Sequence, residues 1–288
     1  MYKLKTLQTF LKPNIAKFIN TVKTRNESTA RILVNVIEDE KKKTANVVMQ
    51  RPPVNSLNLE LLEQITAAIK DLEKKKFRGM ILSSNSPTVF SAGLDITEMY
   101  KPKEERLRKF WVALQTMWKT LYLTPMVTIA AINGHAPAGG CLVSLSCDHS
   151  IMVKSRASIG LNETMLGIVA PKWFRAVYIN SLGFRKAEHA LKLGKMFTSE
   201  EAQKLGLVNE LVDSPSDVLA KAQEELDRFM KIPAAALQMT KLSLRKPHVD
   251  ELISYEKQEL EEIVYFVSQE ETQKLLGKYF ESLKDKKK

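Results

Sequence analysis

The alternation of strand-like and helix-like patterns in the first half of this chain constrains its fold more than any other feature. Residues 31–38 and 44–50 are rich in β-branched and apolar side chains and are joined by a charged turn. An amphipathic helical pattern follows at 59–76, and strand and helix patterns then repeat up to residue 153. This alternation predicts an α/β protein.

The last part of the chain changes character after Pro215, where nearly every segment has a helical pattern. Pro233 and Pro247 are expected to interrupt it, because proline removes a backbone donor and clashes inside a helix. The predicted helices span 217–230, 234–245, 249–267 and 271–283. We therefore divide the folded chain into a core at 29–214 and a C-terminal helical region at 215–288.

The net charge of +11 is concentrated near the ends of the 288-residue chain. Residues 1–26 hold six basic residues and no acid, and apolar residues recur there at helical spacing. A basic amphipathic helix without a continuous apolar core is typical of a mitochondrial transit peptide. The sequence thus predicts a transit peptide at 1–28 and a location in the mitochondrial matrix. The remaining body is nearly neutral, which does not favour nucleic-acid binding.

The sequence predicts neither a membrane span nor a metal site. No window approaches the roughly 18 uninterrupted apolar residues that a membrane-spanning helix needs. Cys141 and Cys147 lie in apolar surroundings, which suits a reducing compartment better than a disulfide scaffold. Together with Asp148 and His149 they match no common metal-ligand spacing, so they are interpreted as core residues.

One carboxylate stands out as a candidate catalytic group. Glu163 is the only ionisable side chain between Arg156 and Lys172, and its neighbours are largely apolar. Loss of hydration disfavours the charged form of a carboxylate, so its pKa should rise toward neutrality. A carboxylate with such a pKa is suited to act as a general base that takes a proton and returns it.

Two glycine-containing segments precede Glu163. The first glycine loop (residues 90–99) has a turn at Gly93, and the second glycine loop (residues 133–140) ends in two consecutive glycines before a predicted helix. Backbone amides at a helix N-terminus, with no side chain in the way, can stabilise a developing oxyanion. The two loops therefore predict an oxyanion hole.

Taken together, these three segments resemble the enoyl-CoA hydratase/isomerase (crotonase) superfamily. Phe90-Ser-Ala-Gly-Leu-Asp-Ile is similar to its first oxyanion motif, and Ala131-Ile-Asn-Gly-His-Ala-Pro-Ala-Gly-Gly-Cys141 is similar to its second. The resemblance extends from about residue 31 to the C-terminus. It implies a crotonase-type spiral of ββα units, with a C-terminal helical region that supports a homotrimer.

The resemblance also implies a substrate and a set of site residues. The substrate would be an acyl-CoA thioester, and no separate cofactor would be needed. The amides of Leu94 and Gly139 would form the oxyanion hole around the thioester oxygen, and Glu163 would be the catalytic base. The implied substrate-binding residues are Ala92, Gly93, Leu94, Asp95, Ile96, Gly139, Gly140 and Asn162. Asn162 is also a candidate for orienting Glu163.

One departure from the family pattern narrows the expected activity. Hydratases of the family carry a second catalytic glutamate three residues after the oxyanion glycine, where this chain has Leu142. A single carboxylate can move a proton but is poorly equipped to add water. The segment Ile159-Gly-Leu-Asn-Glu-Thr-Met-Leu-Gly-Ile168 resembles the isomerase branch. That branch moves a 3-enoyl double bond to the trans-2 position during β-oxidation of unsaturated fatty acids.

Other activities of the same superfamily stay open. A dienoyl-CoA isomerase or an acyl-CoA hydrolase would share the fold, although the former is expected to carry a further acidic residue near Leu142. An RNA-binding member of the superfamily would use a lysine-lined helix. The predicted helix at 59–76 mixes acids with its lysines, which suits phosphate binding poorly.

Overall fold

The structure of the protein is a computed structural model that describes residues 31–154 and 157–285, with side chains up to residue 282. The predicted transit peptide at 1–28 lies outside the described residues. From Leu33 onward the chain forms one compact unit. The predicted boundary between residues 214 and 215 stays a prediction. Within the described part of the chain, no helix is both long enough and apolar enough to cross a bilayer.

Nine strands and nine helices make up the described residues. The strands are β1 (Val34–Asp39), β2 (Thr44–Met49), β3 (Gly79–Ser84), β4 (Val127–Ile132), β5 (Ala136–Pro137), β6 (His149–Val153), β7 (Ser158–Gly160), β8 (Phe197–Thr198) and β9 (Glu210–Val212). The helices are α1 (Leu59–Lys74), α2 (Glu104–Leu123), α3 (Gly139–Ser146), α4 (Lys172–Leu182), α5 (Phe184–Leu193), α6 (Ser199–Leu205), α7 (Asp217–Phe229), α8 (Ala234–Ser268) and α9 (Glu270–Asp285). Two 3₁₀ turns lie in the candidate segments, one at Ile96–Glu98 in the first glycine loop and one at Glu163–Leu166. The α/β prediction is confirmed.

The main sheet has six strands in the order β1-β2-β3-β4-β6-β9. β1 and β2 pair antiparallel, and every other neighbouring pair in this sheet is parallel. The carboxyl ends of parallel strands meet at one edge, where ligands bind in open α/β sheets. The loops that follow β2, β3 and β4 therefore emerge at the same edge, and the last two are the two glycine loops.

A second, smaller sheet connects the second glycine loop to the Glu163 segment. β5 pairs parallel with β7, with Ala136 opposite Ile159 and Pro137 opposite Gly160. β7 also pairs antiparallel with β8. Because β5 lies just before Gly139 and β7 just before Glu163, this pairing fixes the two candidate groups relative to each other.

The core lies between the sheet and the helices packed on it. The buried face of α1 repeats every three to four residues, as expected for an amphipathic helix: Leu61, Leu62, Ile65, Ile69 and Leu72. α2 packs against α1 and α8, and α7 packs against β3, β4 and β6. Gly79 permits the last contact, because an added Cβ would lie 2.6 Å from a methyl carbon of Leu226.

The predicted helix break at Pro247 is wrong, because α8 continues through it. An internal proline costs about 3 kcal/mol in a helix. Contacts on both sides of the proline offset this free-energy cost. Before it, Lys241 and Arg245 form ion pairs of 2.8 and 2.9 Å with Asp148. After it, Val249 and other α8 side chains are buried against the core.

Candidate active site

Leu94 supplies an exposed hydrogen-bond donor in the first glycine loop. Leu57 pairs with Leu94 as in a parallel sheet, and it bonds to Gly93 O and Asp95 N on either side. This pattern directs the Leu94 N–H away from Leu57. The other amides from Phe90 to Asp95 donate to His135 O, Val54 O, Ser91 Oγ or Leu57 O. Among the described residues, the Leu94 N–H has no such acceptor.

The second donor is at the start of α3. Gly139 is the first residue of that helix, and Leu142 N donates the first intrahelical bond, to Ala138 O. The amide of Gly139 is therefore among the N-terminal N–H groups that have no partner within the helix. Ala138 precedes it with φ +48° and ψ −119°, a conformation that costs an alanine about 1–3 kcal/mol. A 2.8 Å bond from Ala138 N to Gly160 O holds it there.

The structure brings the two amides together. A Cβ added at Gly139 would lie 3.3 Å from Leu94 N, and one added at Gly93 would lie 3.1 Å from Gly139 N. Gly93 also has φ +84°, where a side chain would be strained. Both glycines thus allow the backbone nitrogens of Leu94 and Gly139 to approach each other with no side chain between them. Two donors around one position are the geometry that an oxyanion hole requires.

Glu163 carries a buried carboxylate. It begins the 3₁₀ turn after β7, and its side chain is among the buried polar groups, with the residue 6% exposed. Neither carboxylate oxygen finds a partner among the described residues. Burial raises the pKa of Glu163 to about 7. Near neutral pH it therefore exchanges a proton readily in both directions.

Glu163 interacts electrostatically with Cys141 of α3. Burial first, and then the charge of Glu163, raise the pKa of the Cys141 thiol well above its ordinary value. Burial also raises the pKa of Tyr178, to which the nearby Cys141 and Glu163 contribute. Cys141 follows Gly139 by two residues, and the Ala138 N–H just before that helix donates to Gly160 O, three residues before Glu163. His135 strengthens this junction, because its Nδ1 accepts a 3.2 Å bond from Ser158 N.

The other predicted site residues differ in how free they are to contact a substrate. Gly140 lies tightly against Ser91, since an added Cβ would come within 2.4 Å of Ser91 O. Ala92 and Ile96 lie in the first glycine loop, half-buried and buried. Asp95 is also buried there, but its carboxylate binds Arg51 and Thr97.

Asn162 and Leu142 define the remaining surroundings of the base. Asn162 Oδ1 and both Glu163 carboxylate oxygens lack partners among the described residues, so no hydrogen bond joins these two side chains. Leu142 is fully buried and apolar. An apolar side chain thus occupies the position where the family resemblance implies a second carboxylate in hydratases.

Three residues near the site were not predicted from the sequence. Arg51 and Asn55 lie in the loop after β2 and bond to the first glycine loop. Tyr178 is fully buried on α4, and its hydroxyl has no partner among the described residues. A sequence signal existed for the first two, because polar residues directly after a predicted strand lie at the ligand-binding edge of a parallel sheet.

Comparison with known proteins identifies the family. The enoyl-CoA hydratase/isomerase family matches residues 39–287 of the sequence. The chain belongs to the enoyl-CoA hydratase/isomerase family. The resemblance of the two glycine loops and the Glu163 segment to this family is confirmed, and so is the crotonase fold.

Family members with isomerase names are similar to this chain over most of its length. Mitochondrial enoyl-CoA delta isomerase 1 of Rattus norvegicus is 43% identical over 269 residues, or 91% of each chain. The crystal structure of human mitochondrial delta3-delta2-enoyl-CoA isomerase covers 89% of this chain and 100% of its own, with 41% identity and a TM-score of 0.87. The crystal structure of enoyl-CoA hydratase from Bacillus halodurans covers 85% and 99%, with 26% identity and a TM-score of 0.77.

Proposed function

We propose that this protein is a Δ3,Δ2-enoyl-CoA isomerase, which converts cis- or trans-3-enoyl-CoA to trans-2-enoyl-CoA. The observation that carries the proposal is the arrangement of the site. Both carboxylate oxygens of Glu163 lack a partner among the described residues, and the backbone nitrogens of Leu94 and Gly139 lie close together where the two glycine loops meet. The 43% identity to a mitochondrial enoyl-CoA delta isomerase 1 supports the same activity.

The mechanism is a proton transfer between two carbons. Glu163 removes a proton from C2 of the 3-enoyl thioester, and the electrons delocalise into a dienolate whose charge lies on the thioester oxygen. Hydrogen bonds from Leu94 N and Gly139 N stabilise that oxygen, at about 3–4 kcal/mol for each well-placed donor. The protonated carboxyl then returns its proton to C4, and the double bond moves to C2. No cofactor is needed, because coenzyme A is part of the substrate.

The surroundings of Glu163 favour isomerisation over hydration. A proton held on a buried carboxyl is not lost to solvent between the two steps. The fully buried Leu142 offers no second carboxylate to activate water. The carboxylates of Asp95 and Glu98 do not replace it, because they are bound by Arg51 and Arg106.

The proposal is tested by comparing two thioesters in a spectrophotometric assay. We expect the protein to convert 3-hexenoyl-CoA to its 2-enoyl isomer and to hydrate crotonyl-CoA at least about a hundredfold more slowly. An enzyme of the family with a second active-site carboxylate serves as the positive control for hydration. Rapid hydration of crotonyl-CoA with no isomer formed from 3-hexenoyl-CoA would contradict the proposal.

We also propose a homotrimer in the mitochondrial matrix, targeted by residues 1–28. Exposed apolar side chains on α8 support a subunit contact, among them Met239 and Leu244, which are 71% and 68% exposed in the isolated chain. Light scattering after gel filtration should give three times the chain mass. A fusion of residues 1–28 to a fluorescent protein should enter mitochondria, and a fusion that stays in the cytosol would refute the targeting role.

A further inference from the structure

The loop that follows β2, residues 50–57, runs alongside the first glycine loop; we name it the bracing loop. Three backbone hydrogen bonds join the two loops. Leu57 N donates to Gly93 O at 2.8 Å, and Leu57 O accepts from Asp95 N at 3.0 Å. Val54 O accepts from Ala92 N at 2.9 Å. The first glycine loop is therefore built onto the bracing loop as onto a neighbouring strand.

The bond to Gly93 O determines where the Leu94 N–H points. The carbonyl of Gly93 and the N–H of Leu94 belong to one planar peptide group, and in the trans form they point in opposite directions. Because the carbonyl is held toward Leu57, the N–H must face away from it. Gly93 has φ +84°, and glycine tolerates many backbone conformations. Without the bracing loop, this peptide group would be free to rotate.

Two side chains of the bracing loop anchor it to the first glycine loop on both sides of Leu94. Asn55 is 1% exposed, accepts a 2.8 Å bond from Arg51 N and donates to Phe90 O at 3.2 Å. Arg51 Nη2 lies 2.5 Å from Asp95 Oδ2, and its Nη1 donates to Ser56 O at 2.9 Å. Leu94 is thus held between an anchored Phe90 and an anchored Asp95.

The Arg51–Asp95 contact has the features of a strong orienting pair. Both side chains are largely buried, with 22% and 10% exposure. The other oxygen of Asp95 accepts bonds from Thr97 N at 3.0 Å and Thr97 Oγ1 at 2.7 Å. Charge-assisted bonds to both oxygens fix the carboxylate and, with it, the backbone of the residue that follows Leu94.

We propose that Arg51, acting through Asp95 and the bracing loop, is a positioning residue that aims the Leu94 N–H at the thioester oxygen. The proposal rests on the proposed isomerase function. Arg51 itself does not touch the substrate. Arg51 keeps one oxyanion donor ordered before the substrate binds. Its loss therefore reduces transition-state stabilisation while leaving most substrate binding intact.

The test compares Arg51→Gln, Arg51→Lys and Asp95→Asn with wild type. Asp95→Asn keeps an oxygen that can accept the bonds from Thr97, so this variant tests the proposal even if Arg51→Gln does not fold. Lys119→Gln is the matched control, because Lys119 forms a similarly buried ion pair with Glu256, joining α2 to α8. The readouts are kcat and KM on 3-hexenoyl-CoA, the thermal midpoint, and the near-ultraviolet enolate band of bound acetoacetyl-CoA.

We expect Arg51→Gln and Asp95→Asn to lower kcat about ten- to a hundredfold, with KM changed less than about twofold. Arg51→Lys should recover part of the loss, because it keeps the charge but not the forked geometry. The fraction of bound acetoacetyl-CoA that is present as the enolate should fall in the same order as kcat, most in Arg51→Gln and Asp95→Asn and less in Arg51→Lys. Lys119→Gln should keep the wild-type kcat and the wild-type enolate band, even if its thermal midpoint falls as far as that of Arg51→Gln.

Two results would overturn the proposal. One is a folded Arg51→Gln or Asp95→Asn variant with kcat and enolate band within about twofold of wild type. The other is a rise in KM with kcat unchanged, which would make Arg51 a substrate-binding residue. If wild type does not isomerise 3-hexenoyl-CoA, the proposed function fails, and the enolate band alone still decides whether Arg51 positions the donor.

Discussion

Two glutamates of this protein are equally buried and have opposite surroundings. Glu163 is 6% exposed and Glu259 is 7% exposed. Neither oxygen of Glu163 has a hydrogen-bond partner among the described residues. Glu259 accepts bonds from the indole N–H groups of Trp111 and Trp173, at 3.3 and 3.1 Å, and from Gln115 Nε2 at 2.8 Å.

The difference shows that burial alone does not make a carboxylate a base. Three N–H donors occupy the lone pairs of Glu259, so it connects α2, α4 and α8 as a structural group. Burial removes the hydration of Glu163, and no other described residue donates a hydrogen bond to it, so its pKa rises to about 7. Its lone pairs remain available to a substrate proton. The site is therefore defined by the absence of compensating bonds at one carboxylate.

The largest expected effect comes from exchanging each glutamate for glutamine. Glu163→Gln should lower the turnover of 3-hexenoyl-CoA by at least about a thousandfold, because an amide cannot carry the transferred proton. Glu259→Gln should retain turnover per folded molecule to within about threefold, since its contacts are structural. The spectrophotometric assay measures both. A Glu163→Gln enzyme with most of its activity would show that another group is the base.

The same two substitutions should change stability in opposite directions. In Glu259→Gln the amide turns a donor toward other donors, and we expect a loss of about 3 kcal/mol in the free energy of unfolding. Glu163 behaves differently because its folded pKa, about 7, lies above the ordinary value of 4.5. As pH rises through this window the unfolded chain releases a proton that the folded chain retains, so wild-type stability falls.

Replacing Glu163 by glutamine removes this pH dependence. Relative to wild type, Glu163→Gln should gain about 3 kcal/mol between pH 4.5 and pH 8, with the change levelling off above pH 7. Denaturant titrations of both proteins at several pH values measure the difference. A constant difference across this range would mean that Glu163 is not desolvated as the structure has it.

The sequence predicted Glu163 but not Glu259, and the reason is the range of the interactions. The apolar residues around Glu163 are its neighbours in the chain, so a local pattern was sufficient. The partners of Glu259 lie 86 to 148 residues away in sequence, so the pattern of residues around Glu259 in the chain does not predict them. The same limit applies to Arg51, which meets Asp95 across 44 residues.

Element positions follow the same rule. The strands predicted at 31–38 and 44–50 and the helices predicted at 59–76 and 217–230 agree with the structure to within a few residues, because their periodicity is local. The continuation of α8 through Pro247 was missed, because contacts of Lys241, Arg245 and Val249 with distant elements offset the local effect of proline. The pairing of β5 with β7, which sets the second glycine loop beside Glu163, was also not predicted, since two- and three-residue strands give almost no periodic signal.

The smallest effect that we predict concerns the missing second carboxylate. Leu142→Glu places an acid three residues beyond Gly139 on α3, where it could orient a water molecule for addition. We expect its hydration of crotonyl-CoA to rise at least about tenfold above wild type, with Leu142→Gln as the uncharged control of equal size. A folded Leu142→Glu protein without this gain would contradict our account, because the specificity for isomerisation would then depend on something other than the number of carboxylates. A gain in both variants would assign the effect to the removal of leucine, and thus to water entry beside Glu163.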